Sequence, residues 1–128
     1  MATGLENLKI YQIAEQLELI VHKITDKFPK DEKFRSVDQL KRSSASVSNN
    51  IAESYHRYSY QEKIHFIIIA KSEAEETKRN IIRSSKKDFI DKEYAEKIAN
   101  KYTELLKAMS GYINFLKKQK QTNQATKN

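Results

Sequence analysis

Two short patterns in the sequence combine residue types that hold metal ions in helical proteins. Each is a glutamate followed three residues later by a histidine: Glu53 with His56, and Glu62 with His65. Di-iron helical bundles use two such pairs together with one glutamate from each of two further helices. Here both pairs flank a predicted turn, and both histidines fall well off the predicted apolar faces. We therefore interpret them as surface residues and expect no metal site and no cofactor.

The sequence gives equally little support for nucleophilic catalysis. The chain has no cysteine, which excludes thiolate chemistry, disulfides and cysteine-bound metals. No serine stands between glycines in a nucleophile elbow, and no glycine-rich loop is present to hold a phosphate. The carboxylates mostly alternate with lysines, as on a solvated helix surface. We expect no catalytic residues and no enzyme activity.

The elements that would position these residues are predicted to be long helices. Only two glycines and one proline occur in 128 residues, whereas proteins rich in strands and turns need many more. The spacing of Ser59 and Glu62 is typical of a capping box at the start of a helix. In the first segment, apolar residues recur with helical spacing over an arc of about 120°: Ile10, Ile13, Ala14, Leu17, Ile20, Val21, Ile24 and Phe28.

Four such segments predict an all-α protein, an antiparallel up-and-down four-helix bundle. We expect one bundle domain over residues 1–116, with a basic, polar, disordered tail over residues 117–128. The predicted helices cover about residues 5–28, 32–57, 60–87 and 91–117. The longest uninterrupted apolar run, residues 66–70, is far shorter than the ~20 residues that span a membrane. We expect a cytoplasmic protein that does not associate with membranes.

The net charge of +7 is concentrated in two stretches. Residues 78–87 carry five positive charges and residues 117–128 carry four, and neither stretch contains an acidic residue. Such clusters favour binding to RNA or DNA, although helix ends attract cations and basic tails aid solubility without any ligand. The candidate nucleic-acid-binding residues are Lys78, Arg79, Arg83, Lys86, Lys87, Lys117, Lys118 and Lys120.

The second predicted helix carries an unusual polar stripe opposite its apolar face. Serine and asparagine are indifferent helix formers, because their side chains compete for backbone groups. The stripe is either a hydrated surface or a hydrogen-bonded network against a neighbouring helix or subunit. Its residues share one face within about 80° of helical rotation: Gln39, Arg42, Ser46, Asn50 and Glu53.

The same helix resembles the signature of the ribosomal RNA intervening-sequence protein family, whose members are also called S23 ribosomal proteins. The resemblance covers about residues 5–117. Phe28-Pro29 followed by Glu32 resembles a family turn, while Ser54 and Lys71 stand where the family has glycine. The matching positions are Gln39, Arg42, Ser46, Asn50, Ile51, Ala52 and Glu53 on the second helix, and Ala70, Ser72 and Glu75 on the third.

The resemblance implies a four-helix bundle that assembles into ring-like homopentamers. Many such proteins are encoded within bacterial large-subunit ribosomal RNA genes. The family is similar in fold to an accessory protein of diversity-generating retroelements, which partners a reverse transcriptase and binds nucleic acid. No enzyme activity is established for the family.

Displaced apolar residues indicate self-association independently of the resemblance. They lie away from the core faces of the first and third helices, where a monomer would expose them. Exposed apolar patches usually mark contacts, so we expect a homo-oligomer. The candidate interface residues are Leu8, Leu19, Ile64, Ile68 and Ile82.

Three functions remain open from the sequence. The first is a homo-oligomer that binds nucleic acid without strong sequence preference. The second is a protein-interaction scaffold, such as an accessory subunit for a reverse transcriptase, that docks through the polar stripe or the displaced isoleucines. The third is a metalloenzyme that uses the two glutamate–histidine pairs, for which we expect no stoichiometric iron or zinc.

Overall fold

The computed structural model describes residues 4–127, and the side chains of residues 4–124. Short 3-10 turns at Leu5–Asn7 and Lys30–Glu32 precede the first two of its α-helices. No strand occurs in the described part of the chain, which confirms the predicted all-α class. The α-helices are α1 (Lys9–Thr25), α2 (Ser36–His56), α3 (Tyr60–Lys86) and α4 (Lys92–Lys127).

The helices pack in the order of the chain. α2 lies against α3, α3 against α4, and α1 against both α2 and α4. Because short connections join neighbouring helices, consecutive helices run antiparallel. This arrangement is the predicted up-and-down four-helix bundle, in which α1 and α3 stand diagonally opposite each other.

The core is built from the apolar faces that the spacing predicts. On α1, Leu17 and Val21 are fully buried, and Ile13 and Ile20 pack half-buried against the same cluster. Burying a side chain of this size contributes roughly 1.5–3 kcal/mol. The amphipathic faces therefore supply the main force that holds the bundle together.

Local sequence signals set the helix ends. Ser59 caps α3, because its hydroxyl oxygen accepts a hydrogen bond from the Glu62 backbone N–H at 3.1 Å. α1 ends at Thr25, three residues earlier than predicted, and the chain then turns toward Pro29. Phe28 stays buried beyond the helix end, with its ring centroid 5.5 Å from that of Phe89.

The C-terminal segment differs from the prediction of a disordered tail. α4 continues to Lys127, well past Leu116, which is its last core residue among the described side chains. No glycine or proline interrupts residues 112–127, and lysine and glutamine are good helix formers. The end of the apolar face marks the end of core contacts, whereas helical hydrogen bonds continue without such a face.

None of the helices among the described residues combines the length and apolar character needed to cross a membrane.

Candidate nucleic-acid interface

The five cations predicted near the end of α3 cover its last three turns. Four are exposed and Lys78 is half-buried. Arg83 Nη1 donates a hydrogen bond to Asn80 Oδ1 at 3.0 Å, but none of the five forms an ion pair with any residue in the described part of the chain. Their charges are therefore free to meet an external anion. We call this group the α3-end patch: Lys78, Arg79, Arg83, Lys86 and Lys87.

The backbone that ends α3 holds this patch in place. The Phe89 N–H donates to the Ser84 carbonyl at 3.0 Å and the Asp88 N–H to the Ser85 carbonyl at 3.1 Å, which is the Schellman pattern of helix termination. Asp88 takes the left-handed conformation that this pattern needs, with φ of 63°. The helix carbonyls exposed at this end also favour nearby cations.

A second cationic segment, which sequence reasoning missed, lies at the same end of the bundle. The hydroxyl oxygens of Ser43 on α2 and Thr77 on α3 are 2.7 Å apart. Because these helices run antiparallel and each rises 1.5 Å per residue, Ser36 at the start of α2 stands level with Ser84 of α3. The turn that precedes α2 therefore lies at the end of the bundle where α3 ends. We call the exposed cations of this segment the α1–α2 loop cations: Lys30, Lys33 and Arg35.

The sequence does not indicate this basic segment, because acidic residues stand between its cations. Asp31 and Glu32 accompany the three cations, so the segment looks nearly balanced. The structure buries Glu32, which accepts a hydrogen bond from the Ser36 hydroxyl at 2.8 Å, so its carboxylate faces inward while the cations face solvent. The family-like turn beginning at Phe28-Pro29 therefore anchors the loop through a buried phenylalanine and a buried carboxylate.

The lysines of the last segment lie at the opposite end of the bundle. Lys117 and Lys120 line a surface depression with Gln61 and Ile64, near the start of α3, and Lys118 is exposed beside them. From this depression to the α3-end patch is about 30 Å along α3. The structure therefore places the eight predicted cations on two separate surfaces.

The polar stripe of α2 mostly makes hydrogen bonds along its own helix. Asn50 Nδ2 donates to the Ser46 carbonyl at 2.8 Å, and Arg42 pairs with Asp38 at 3.1 Å. Gln39, Arg42 and Glu53 are exposed. Within one chain, the stripe is thus a partly hydrated surface.

A groove beside the stripe has an acidic wall on α3. Gln39, Arg42 and Ser46 line it from α2, and Glu73 and Glu76 line it from α3. Partial burial, reinforced by the neighbouring Glu76 carboxylate, raises the pKa of Glu73. The groove combines one cation with two carboxylates, which is the wrong balance for binding phosphate.

The serines next to the stripe make the contacts between helices. The Ser48 hydroxyl donates to Glu18 Oε1 on α1 at 2.5 Å, and the Ser54 hydroxyl donates to the Lys63 carbonyl on α3 at 2.7 Å. With the buried Ser43–Thr77 contact, these bonds join α2 to both neighbours. A hydrogen-bonded network against a neighbouring helix is one of the two sequence interpretations of the stripe, but the sequence does not assign it to these adjacent serines.

The candidate interface residues divide into two groups. Leu8 and Ile64 are half-buried against their own core and offer little surface to another copy. Leu19, Ile68 and Ile82 are exposed, by 58%, 52% and 37% respectively. Leu19 lies on α1 and the isoleucines on α3, so exposed apolar side chains occupy two diagonal helices.

The two glutamate–histidine pairs converge on an arginine. Arg57 pairs with Glu53, and its Nη1 lies 3.6 Å from Glu62 Oε2. Both carboxylates thus already face a guanidinium, while His56 and His65 are exposed. Across the residues whose placement is described, no three histidine, aspartate or glutamate side chains stand close enough to hold a metal ion.

Fold and surface together define a helical-bundle protein with two basic ends and no recognisable catalytic centre among the described residues. The chain belongs to the 23S rRNA-intervening sequence protein family, whose sequence model matches residues 6–111. This confirms the family resemblance carried by the α2 motif. The family description names no enzyme activity.

A solved structure supports the fold. The chain is similar to a protein of unknown function from the S23 ribosomal protein family of Bacteroides thetaiotaomicron, with 24% sequence identity and a TM-score of 0.73. The match covers 81% of this chain and 97% of the other. Among curated proteins the comparison finds no match.

Proposed function

We propose that the protein is a non-enzymatic homo-oligomer that binds nucleic acid through its basic ends, chiefly the α3-end patch. The observation that supports this proposal is the exposure of the cations in that patch and their lack of ion pairs with described residues. Four are exposed, and none forms an ion pair with a residue that the structure describes. Cations already paired with carboxylates would have to lose those partners before binding phosphate.

The α1–α2 loop cations enlarge the same surface. Lys30, Lys33 and Arg35 bring the exposed cations at this end of α2 and α3 to seven. Each phosphate neutralised on a duplex steepens the dependence of log affinity on log salt by about 0.9. Affinity should therefore fall steeply as salt rises from about 50 to 200 mM.

The test is an electrophoretic mobility shift with RNA and DNA at those two salt concentrations. The patch variant combines Arg83→Glu, Lys86→Glu and Lys87→Glu. A control variant with the same charge change combines Lys97→Glu, Lys101→Glu and Lys107→Glu, three exposed lysines on α4. We expect the patch variant to bind at least tenfold more weakly than the control and to show a shallower salt dependence.

Two results would contradict the proposal. The first is no binding of RNA or DNA by the unaltered chain at low salt, which would leave the protein-interaction scaffold as the better hypothesis. The second is equal loss of affinity in the patch and control variants, which would indicate a response to net charge alone. Circular dichroism checks that α3 remains folded, since acidic residues at a helix C-terminus are unfavourable.

A chain ending at Leu116 tests the other basic end separately. Leu116 is the last buried residue among the α4 side chains that the structure describes, so this truncation leaves the described core intact. It removes Lys117, Lys118 and Lys120. If both ends bind, the truncation and the patch variant should each weaken binding, and their combination should abolish it.

The exposed apolar residues support the assembly part of the proposal. Ile68 and Ile82 lie on α3 and Leu19 lies on α1, so the two apolar surfaces face different sides of the bundle. An isologous dimer uses one self-complementary surface, whereas two different surfaces meeting head to tail produce a ring when the rotation closes. A ring of five, as the family resemblance implies, fits this arrangement.

Light scattering after size-exclusion chromatography tests the assembly. We expect a mass about five times 15.0 kDa for the unaltered chain, and a smaller mass for Ile68→Glu. Asn100→Glu, at an exposed position of α4, should keep the original mass. A monomer at micromolar concentration would refute the assembly proposal.

A further inference from the structure

Phe34 is the most exposed phenylalanine among the described residues, at 84%. It does not belong to the core, although its neighbour Val37 packs against the core. Leaving a phenylalanine in water forgoes the stabilisation that its burial would bring. The position therefore calls for an explanation other than folding.

The exposure of Phe34 is not the result of a loose loop. The Lys33 N–H donates to the Lys30 carbonyl at 3.2 Å, and the Arg35 N–H donates to the Glu32 carbonyl at 3.0 Å. Glu32 is buried and accepts the Ser36 hydroxyl at 2.8 Å. Backbone hydrogen bonds on both sides of Phe34 thus order the turn that carries its exposed ring.

Cations lie next to the ring in the structure and in the sequence. Lys33 Nζ lies 5.4 Å from the centroid of the Phe34 ring, and Arg35 follows in the chain. Because the start of α2 stands level with Ser84, the turn that carries Phe34 lies at the same end of the bundle as the α3-end patch. A second copy of this cationic end would be repelled here, whereas a polyanion with flat apolar groups would be attracted.

Single-stranded nucleic acid has this chemistry. Its bases are unstacked or easily unstacked and can lie on an aromatic side chain, while its phosphates contact nearby cations. A duplex offers the same phosphates but keeps its bases inside the stack. An outward aromatic ring among cations therefore adds affinity for single strands in particular.

We propose that Phe34 is a stacking site for a base of single-stranded RNA or DNA, with Lys33, Arg35 and the α3-end patch holding the flanking phosphates. This inference rests on the proposed nucleic-acid binding and specifies the form of nucleic acid bound.

The first test compares Phe34→Leu with Tyr58→Leu on the full chain. Tyr58 is also fully exposed and also neighbours an arginine, but it lies at the opposite end of the bundle. Fluorescently labelled single strands of about 15 nucleotides, as RNA and as DNA, serve as probes beside the matching duplexes. We expect Phe34→Leu to weaken single-strand binding about tenfold and duplex binding less than twofold, whereas Tyr58→Leu, near the second basic end, should not distinguish single strands from duplexes.

A second test reads the stacking directly. The chain contains no tryptophan, so Phe34→Trp introduces a single reporter at the site and Tyr58→Trp introduces one at the control position. Single-stranded probes should quench the emission of Phe34→Trp much more strongly than that of Tyr58→Trp. Comparing RNA probes with DNA probes shows whether the sugar affects binding at this site.

The outcomes separate this inference from the function on which it rests. If the unaltered chain binds no nucleic acid at low salt, the proposed function fails. If it binds but Phe34→Leu leaves single-strand affinity unchanged, or lowers single-strand and duplex affinity equally, nucleic-acid binding stands and the stacking site is refuted. Quenching of both tryptophans alike would refute it as well.

Discussion

Gly111 offers the sharpest test of the packing of α4. It lies inside the helix, 19 residues after Lys92, and is exposed with an ordinary helical backbone. A Cβ built at this position meets no atom within 4 Å. The substitution Gly111→Ala therefore adds helix propensity with neither a clash nor a new buried contact.

Because a Cβ at position 111 meets no other atom, the expected change in stability comes from helix propensity alone. Alanine is more favourable than glycine by about 1 kcal/mol in a helix interior. Unfolding entropy near 2.1 cal/mol/K per residue then gives a rise in melting temperature of about 4 °C for this chain. Gly111→Ser, with intermediate propensity, should fall between the two.

Thermal unfolding followed by circular dichroism at one fixed protein concentration measures the series. The reasoning requires the order alanine, serine, glycine, from most to least stable. A loss of stability in Gly111→Ala would refute it and would mean that another chain or helix approaches this position closely. Light scattering on the same samples shows whether the loss accompanies a change of assembly.

Three further predictions concern the helix ends and the core. Ser59→Ala should destabilise the protein by about 1 kcal/mol, because α3 loses its N-cap, whereas Ser72→Ala at an exposed interior position of α3 should be neutral or slightly stabilising; urea unfolding distinguishes them. Asp88→Gly should stabilise by about 1 kcal/mol, since glycine adopts the left-handed conformation without steric cost, and a lower urea midpoint would contradict this. Burial raises the pKa of Tyr102. Above about pH 10 the unfolded chain releases a proton that the folded protein keeps, so stability should fall as pH rises. Tyr102→Phe should reduce that fall and Tyr94→Phe, at an exposed position, should not, as urea unfolding at pH 9 and about pH 11 would show.

Periodicity was enough to predict the helices and their core faces. On α1 the spacing of apolar residues identifies both the fully buried Leu17 and the half-buried Ile20, because a helix repeats every 3.6 residues whatever it packs against. The capping pattern at Ser59 likewise depends only on neighbours in the chain. Signals that are local in sequence are therefore sufficient for fold class and helix order.

Helix ends without a local signal were less predictable. The prediction ended α4 where apolar residues stop, near Leu116, but the helix continues to Lys127. Amphipathic periodicity reports burial, whereas helical hydrogen bonds require only that no residue disrupts them. Lys117, Lys118 and Lys120 consequently lie on a helix that extends beyond the described core.

The full extent of the candidate nucleic-acid interface could be identified only from the three-dimensional structure. The sequence does not reveal Lys33 and Arg35 as a basic surface, because Asp31 and Glu32 balance their charges along the chain. Burial of Glu32 removes one acid from the surface, and antiparallel packing brings the loop level with the end of α3. Neither effect can be obtained from charge counted along the chain.

The positions of the apolar and basic surfaces also connect the two parts of the proposed function. Leu19 and Ile68 lie along the sides of the bundle, whereas the α3-end patch, with Ile82 among its cations, and Phe34 lie at one end of it. Assembly through the sides would leave the ends open and repeat the same basic surface around one rim. Each subunit would then need only a weak contact, since several contacts on one strand act at high effective concentration. One stacking site and a few cations in each subunit would thus be enough for an oligomer to bind a strand, although the same groups would bind it weakly in a monomer.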